Sequence, residues 1–528
     1  MATFTVTTLD DEDFNGGNLG DETSDGAGLS LREALALAQD DDTIVFDNSL
    51  SGGTLTLSGT QLTITQDGLT IDGDLDNDGV ADITVSGNNA SRVLELTAGS
   101  EADANDVTID GLNIIDGLVE GNGGGIYANL DTTVLIYNST FTGNEADSGG
   151  AIASRGELYV RGSQISGNTA AYSGGGIAHF GDNAITTGNN LAIVSSTISN
   201  NVAGNFGGGV FGTGFNAFIY NSTVSGNATT LNNGGGAYFG LGANYANIVN
   251  STFYSNTAAQ SGGGLSANTT DTEIINSTFT GNSAAYSGGG IRNLGLMAIG
   301  NSIVAGNLVS GAGTTDEIQS ASGDFYNGVN VFGNQEGGIG DGDDILVSDL
   351  TTVFASTINE AGHIHGVLAD NGGPVKTVAV SSNSIALNAG DSIIFPPDRF
   401  DLDNDANSTE PLPVDARGAT RVIGGQVDIG AFELTLFTGT NGADSFLGSI
   451  LSDTMFGGLG NDTLDGSVGD DTLSGENGFD SLLGGDGDDV LMGDGGNDRL
   501  NGGNDNDTVS GGSGFDRLEG AGGNDLVQ

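Results

Sequence analysis

The sequence predicts an all-β protein: a right-handed parallel β-helix (solenoid) with a short N-terminal helical cap, followed by a parallel β-roll. Three observations carry this. Ten nine-residue units run without insertion from Gly439 to Gln528. A longer unit recurs every 24 to 33 residues through the middle of the chain. Only one stretch, ALALAQ after Ser30, has the cap and composition of a helix. Repetition at a fixed period marks units that bury their apolar face only by stacking on a neighbour.

Residues 1–50 read as the cap. Ser30-Leu31-Arg32-Glu33 is a capping box, in which the serine hydroxyl and the glutamate carboxylate each accept from the other residue's backbone N–H. The strand TIVF follows, and the helix would cover the open first coil. The segment GLSLREALALAQDDDTIVFD resembles the CSLREA motif that opens many secreted β-helix proteins, with Leu29 at that family's cysteine.

Residues 51–335 read as coils. YNSTFTGNEADSGGAI from Tyr137, VRGSQISGNTAAYSGGGI from Val160, YNSTVSGNATTLNNGGGA from Tyr220, VNSTFYSNTAAQSGGGL from Val249 and INSTFTGNSAAYSGGGI from Ile275 are one unit. Each has an alternating apolar strand, a polar turn ending in asparagine, a glycine run and a second strand. Asn144, Asn168, Asn201, Asn227, Asn256, Asn282 and Asn307 share one position. There they are either stacked amides bonded along the axis or turn residues chosen for local geometry. At about 4.8 Å per coil the rod spans roughly 50 Å, with a further 24 Å or so of roll. The unit resembles the polymorphic outer-membrane-protein repeats of bacterial surface proteins. Asn-Ser-Thr triplets at Asn138, Asn221, Asn250 and Asn276 formally match a glycosylation acceptor, but as part of the repeat they are read as structure.

Residues 336–437 are expected to complete the solenoid. LADNGGPVKTVAV, SNSIALNAGDS, VDARGATR and VDIGAFE, between Leu368 and Glu433, resemble the choice-of-anchor Q region, which in other proteins precedes a surface-sorting element.

Residues 438–528 are the roll. Every unit has glycine first, aspartate sixth and an apolar residue eighth, the aspartates being Asp444, Asp453, Asp462, Asp471, Asp480, Asp489, Asp498, Asp507, Asp516 and Asp525. Glycine allows a tight turn that aims carbonyl oxygens inward, and the aspartate adds a hard anionic oxygen, the donor set of calcium. From 439 to 528 there are two arginines against eighteen acids, 2 − 18 = −16, so the block repels itself without a cation. Units such as GGLGNDTLD resemble the RTX nonapeptide GGxGxDxUx. The resemblance implies several Ca2+ ions between adjacent loops, held by the aspartates and neighbouring carbonyls. Leu451 and Asp505 replace the fourth-position glycine, which makes those the weaker sites. RTX proteins usually continue into a capping segment and an export signal, whereas this sequence stops at the ninth residue of its tenth unit. The expectation is a processed end or a second subunit over the sheet edge.

Two further calcium candidates lie outside the repeats. Asp74, Asp76, Asp78, Gly79 and Asp82 match positions of an EF-hand-type loop, with Val85 where a glutamate would stand. Asp401, Asp403 and Asp405 repeat the odd-position pattern, as a site or as a solvated acidic loop.

The formal net charge of −58 and the single lysine, Lys376, argue against nucleic acid or an anionic membrane as partner. Without cysteine, the chain relies on burial, ladder bonds and metal rather than disulfides. No apolar run approaches the roughly 18 residues of a membrane span, and MATFTVTTLDDEDF lacks the basic start and apolar core of a secretory signal. The combination resembles an RTX substrate of one-step bacterial export, unfolded inside the cell and folded by calcium outside.

A β-helix joined to RTX repeats also resembles exported alginate epimerases and pectate-type lyases. The sequence offers little for such chemistry: three histidines, His179, His363 and His365, one lysine, and no clustered Tyr-Gly-Phe-Asp-Pro-His signature. His363 and His365 would share one side of a strand, as a metal pair or as plain surface. His179, Arg155 and Arg292 lie near equivalent points of their coils, which leaves a carbohydrate-binding face open. The reading is a calcium-binding structural or adhesive β-solenoid, extracellular or on the cell surface, open to self-association. A polysaccharide-binding lyase or epimerase is the alternative.

Overall fold

The computed structural model describes the chain apart from residues 24–27, 98–104, 131, 182–189, 241, 312–316, 321–324, 334–343, 361–362, 372, 382, 392–395, 403–406, 413, 419–420, 422–426, 435, 440 and 449–451. Asp403 and Asp405 therefore lie outside the described residues. The chain is a parallel β-helix followed by a parallel β-roll. The first sheet has twelve strands, from Thr3–Val6 to Phe325–Asn327; the second has ten, from Leu62–Ile64 to Ile318–Ser320. A third, of twelve, runs from Thr54–Thr56 to Ile345–Leu346, and a fourth, of seven, from Glu145–Ser148 to Leu308–Val309. A full coil visits them in the order first, third, fourth, second.

Pairing is parallel and in register, as in Val134↔Leu158↔Leu191↔Ala217, so residues at one place in the repeat stack into columns. Period-two alternation sends every second column inward. Phe141, Ile165, Ile198, Val224, Phe253 and Phe279 form one such buried column, with the last two rings stacked 4.5 Å apart. The cap follows the capping box: helix Leu31–Leu37 starts at Ser30, whose hydroxyl accepts from the Glu33 amide while Glu33 accepts from the Ser30 amide. Leu29, Leu31, Ala34 and Leu35 close the interior. Arg32 pins the helix to Asp11 at 2.8 and 3.0 Å and to the carbonyls of Thr60 and Gln61. Strand Thr3–Val6, ahead of the cap helix, already pairs with Thr43–Phe46. The short helix Leu19–Glu22 carries no sequence signal; its Glu22 carboxylate accepts from the amides of Asn15 and Gly17.

The recurrent asparagines form an internal ladder. Each backbone and side-chain N–H donates to the Oδ1 of the next, from Asn144 through Asn168, Asn201, Asn227, Asn256 and Asn282 to Asn307, at 2.8–3.0 Å. The last rung donates to a carboxylate, Glu317, which also accepts from the Gly306 amide. A second ladder uses serine. The amides of Ser139, Ser163, Ser196, Ser222, Ser251 and Ser277 each donate to the next serine hydroxyl, Ser302 donates to Asn330, and Asn330 donates to Asp344. The Asn-Ser-Thr triplets are thereby explained. Asn138, Asn221, Asn250 and Asn276 turn the chain at φ 47–49°, the serine is a rung, and the threonine opens the next strand.

Residues 336–437 depart from expectation. Ile345–Leu346 is the final strand of the third sheet, and beyond it the described pairs are antiparallel, Thr357–Glu360 with His363–Gly366 and Leu368–Ala369 with Thr377–Val378. This segment is an arm that runs back over the outside of the coils. The Gly366 amide donates to Thr280, Ala431 to Thr278, and Gly430 to the Asn301 carbonyl. The Thr223 hydroxyl and the Asn250 amide donate to the carbonyls of Lys376 and Val414. Phe400 packs between Tyr159, Phe218 and Tyr220 on the first sheet. The physical reason lies in the outward columns. After Asp72, Asp110, Tyr137 and Arg161, the same position becomes Val194, Tyr220, Val249 and Ile275, a run of apolar surface that needs a cover. A buried charge knot locks the arm's end. Asp415 pairs with Arg417 at 2.8 Å, Arg417 lies over Phe432 at 3.9 Å, and Arg421 faces Glu433 at 3.6 Å.

Candidate metal centre

The roll has facing sheets of six and five strands, with a small three-stranded ladder in the loops. The eighth residues, Met455, Leu464, Leu473, Leu482, Leu491, Leu500 and Val509, fill its interior, joined by Phe446, Leu518 and Phe437. Phe437 belongs to strand Leu436–Thr438, which pairs with Thr454–Phe456, a degenerate layer ahead of the first full unit.

The sixth-position aspartates form two columns. Asp444, Asp462, Asp480, Asp498 and Asp516 lie along one edge, and Asp453, Asp471, Asp489, Asp507 and Asp525 along the other. In both, a backbone amide donates to the Oδ1 of the aspartate 18 residues on, at 2.7–3.1 Å. The other oxygen differs. Oδ2 of Asp462, Asp471, Asp480, Asp489, Asp498 and Asp507 is buried without a hydrogen-bond partner. Six buried carboxylate oxygens facing no donor are costly unless protonated or bound to a cation. Burial, with repulsion from neighbouring aspartates, pushes Asp471 up to about 7 and Asp480 and Asp489 up to about 6; Asp498 and Asp507 are raised for the same causes.

The first-position glycine is needed for room rather than for left-handed backbone. A Cβ on Gly466, Gly484 or Gly502 would sit 2.2 Å from Oδ2 of Asp471, Asp489 or Asp507. Left-handed conformations fall at the second and fourth positions, including the non-glycines Ser467, Glu476, Asp494, Asp505 and Ala521. A hard cation fits this cradle of acidic oxygens in tight glycine turns. The outermost Asp444, Asp516 and Asp525 are only half-buried.

The loop at Asp74 is split. Carboxylate oxygens of Asp74, Asp76 and Asp78 lie within 4.8 Å of one another. Asp82 stands apart, accepting from the Leu75 amide and the Ser51 hydroxyl, so it closes the loop. Val85 is buried in the solenoid core.

The histidine expectations change. His179 is wholly buried, with its ring 4.4 Å from Phe215, because its column faces inward. Arg292, one position earlier in its strand, faces outward. His365 sits on the arm, buried against Tyr254 of the coils, and its Nδ1 lies 2.8 Å from the Gly366 carbonyl.

Comparison with known proteins agrees with these repeats. The family "RTX calcium-binding nonapeptide repeat (4 copies)" matches residues 438–473, 465–500 and 501–528. The Chlamydia polymorphic membrane protein repeat matches residues 138–155 and 276–293. No curated protein matches the chain. Among solved structures it is similar to pectate lyase Pel9A, with 14% identity over 82% of this chain and 96% of that one and a TM-score of 0.41. It is also similar to the PL6 family alginate lyase AlyGC, with 11% identity over 99% and 73% and a TM-score of 0.35. Among the described residues no helix is long and apolar enough to cross a membrane. Segments of the chain thus match RTX calcium-binding repeats, which form the parallel β-roll, and polymorphic-membrane-protein repeats, which form coils of the parallel β-helix.

Proposed function

We propose that this protein is an extracellular or cell-surface structural or adhesive rod, exported unfolded and completed by calcium. The observation that carries the reading is the pair of aspartate columns with their buried Oδ2 atoms. In the cytosol such a block repels itself. At the millimolar calcium outside a cell, each ion supplies the missing partner of a carboxylate and couples binding to folding. Asp453, Asp462, Asp471, Asp480, Asp489, Asp498 and Asp507 would hold the ions most firmly, with Asp444, Asp516 and Asp525 as weaker edge sites. Asp74, Asp76 and Asp78 would hold a separate ion, and Asp82 would serve the loop.

Self-association and polysaccharide binding are the two modes of adhesion open to such a rod. A lyase or epimerase is less well supported, since His179 lies in the interior where no substrate reaches it. The test is chelation followed by circular dichroism and calorimetry. Residues 439–528 should unfold and refold with calcium while the coils persist; a roll whose signal ignores the chelator would overturn the proposal.

A further inference from the structure

We propose that the outer face of the second sheet, between the coils of Phe180 and Arg292, binds a neutral polysaccharide chain lying along the rod. This rests on the surface-rod reading and gives it a ligand class. The outward column of this sheet is small at Ala153 and Ala178, aromatic at Phe211 and Tyr238, small again at Ser266 and basic at Arg292. The Phe211 and Tyr238 rings stack at 5.9 Å and 3°, Phe180 leans on Phe211 at 5.6 Å, and Phe206 meets Tyr238 at 4.5 Å. Among the described residues, the ring contacts of these four are with one another, and all four stay partly exposed. The comparable apolar surface of the first sheet lies under the arm, whose contacts described above fall on the first and third sheets.

The face is also polar where a sugar would need it. Alongside the rings runs a surface amide ladder, Asn232 to Asn205 at 3.1 Å and Gln260 to Asn232 at 2.9 Å. It is flanked on the same corner by Tyr172 and Tyr286, 57% and 73% exposed. Four coil steps separate those tyrosines, about 19 Å at roughly 4.8 Å per coil, the footprint of an oligosaccharide rather than of one ring. A sugar has an apolar C–H face that covers an aromatic ring and a hydroxyl rim that meets amides and hydroxyls. Beyond Tyr238 the column passes through Ser266, wholly buried, to Arg292, whose guanidinium reaches back over it to the serine hydroxyl at 3.4 Å.

Charge selects the class. A chain of net charge −58 repels a polyanion. The outward column of this sheet carries one acid, Glu95, and Arg92 pairs with it at 3.5 Å.

The test is affinity electrophoresis of the full-length, calcium-loaded protein through gels containing soluble β-glucan, xylan or polyuronate. At least one neutral polymer should retard the protein. Tyr238→Ala and Phe211→Ala should each weaken that binding at least tenfold, and Tyr238→Phe should keep it. Phe479→Ala and Phe515→Ala, on the exposed roll, should leave it unchanged. No retardation by either neutral polymer, retardation by polyuronate alone, or equal loss in the roll variants would overturn the proposal. So would a concentration-dependent dimer abolished by Tyr238→Ala, since the occupant would then be a second copy. The chelation experiment reads the surface-rod proposal separately, because the ring column contains none of the proposed calcium ligands.

Discussion

Replacing Asn227 by alanine should cost the coils about 4 kcal/mol, and the ladder shows why. The Asn227 amide donates to the Ile198 carbonyl at 2.8 Å and to Asn256 Oδ1 at 3.0 Å, while its oxygen accepts from the backbone and side-chain N–H of Asn201 at 3.0 Å. Asn256 Oδ1 keeps a donor, the Asn227 backbone N–H. Asn201 fares worse, with two buried N–H groups left facing no acceptor. At about 1–3 kcal/mol per buried donor left unpaired, two such donors give roughly 2–6 kcal/mol. The assay is native-state hydrogen exchange in saturating calcium, with urea unfolding of the coils as a second measure. Protection of the Asn201 amide should fall roughly a thousandfold, at about 1.4 kcal/mol per factor of ten. A change below about 1 kcal/mol, or an Asn201 amide that exchanges as before, would refute the view that the ladder carries load. Asn227→Asp makes the sharper comparison: it keeps both acceptor roles, loses both donations, and turns a carboxylate toward two oxygens. It should be at least as damaging at neutral pH and partly relieved in acid, where a protonated carboxyl can donate.

With calcium chelated, the roll should be most stable near pH 4 and lose stability as pH rises through 6 to 7. The folded state holds protons on Asp471, Asp480 and Asp489 at pH values where the unfolded chain, near 3.8, has released them; thermal melts between pH 4 and 8 in chelator read this directly, and stability rising with pH would contradict it. Gly484→Ala places a Cβ 2.2 Å from Asp489 Oδ2 and 2.3 Å from the Gly502 carbonyl, so calorimetry should find one calcium site lost or weakened at least tenfold. Arg421→Met leaves Glu433 and Asp428 buried without their arginine, a loss of about 3–5 kcal/mol that limited proteolysis should read as early cleavage of the arm while the coils resist.

Much of this was legible in the sequence because it is periodic. The eighth-position residues, the aspartate columns and the asparagine column each repeat in phase, and phase in a solenoid is position in space. Ser30 and Glu33 were legible for a local reason, since a capping box is closed within four residues. The serine ladder was hidden in plain view inside Asn-Ser-Thr, where a familiar modification motif overlay the structural reason for Ser222 or Ser251. The arm was not legible from its own residues, because its partners are far away in sequence: Ala431 meets Thr278 across 153 residues. A signal did exist on the coils. Strands NLAIV and NAFIY are apolar at four successive residues, inward and outward positions alike, which a solenoid strand facing solvent has no reason to be, and the structure buries all four. His179 was misplaced for a related reason, since equivalence within a coil says nothing of which way a residue faces until the register is known.

The arm also has a consequence for the length of the rod. The internal ladders are indifferent to number, because each rung asks only for a rung after it and a carboxylate at the end, so coils could be duplicated or lost without breaking them. The arm is not indifferent. Its contacts at Thr223, Asn250, Thr278 and Asn301 fall on consecutive coils, so adding or removing one coil beneath it would slide every later contact by one step. It acts as a ruler laid along the rod, and the coils under it are held to a fixed count while those before it remain free to vary.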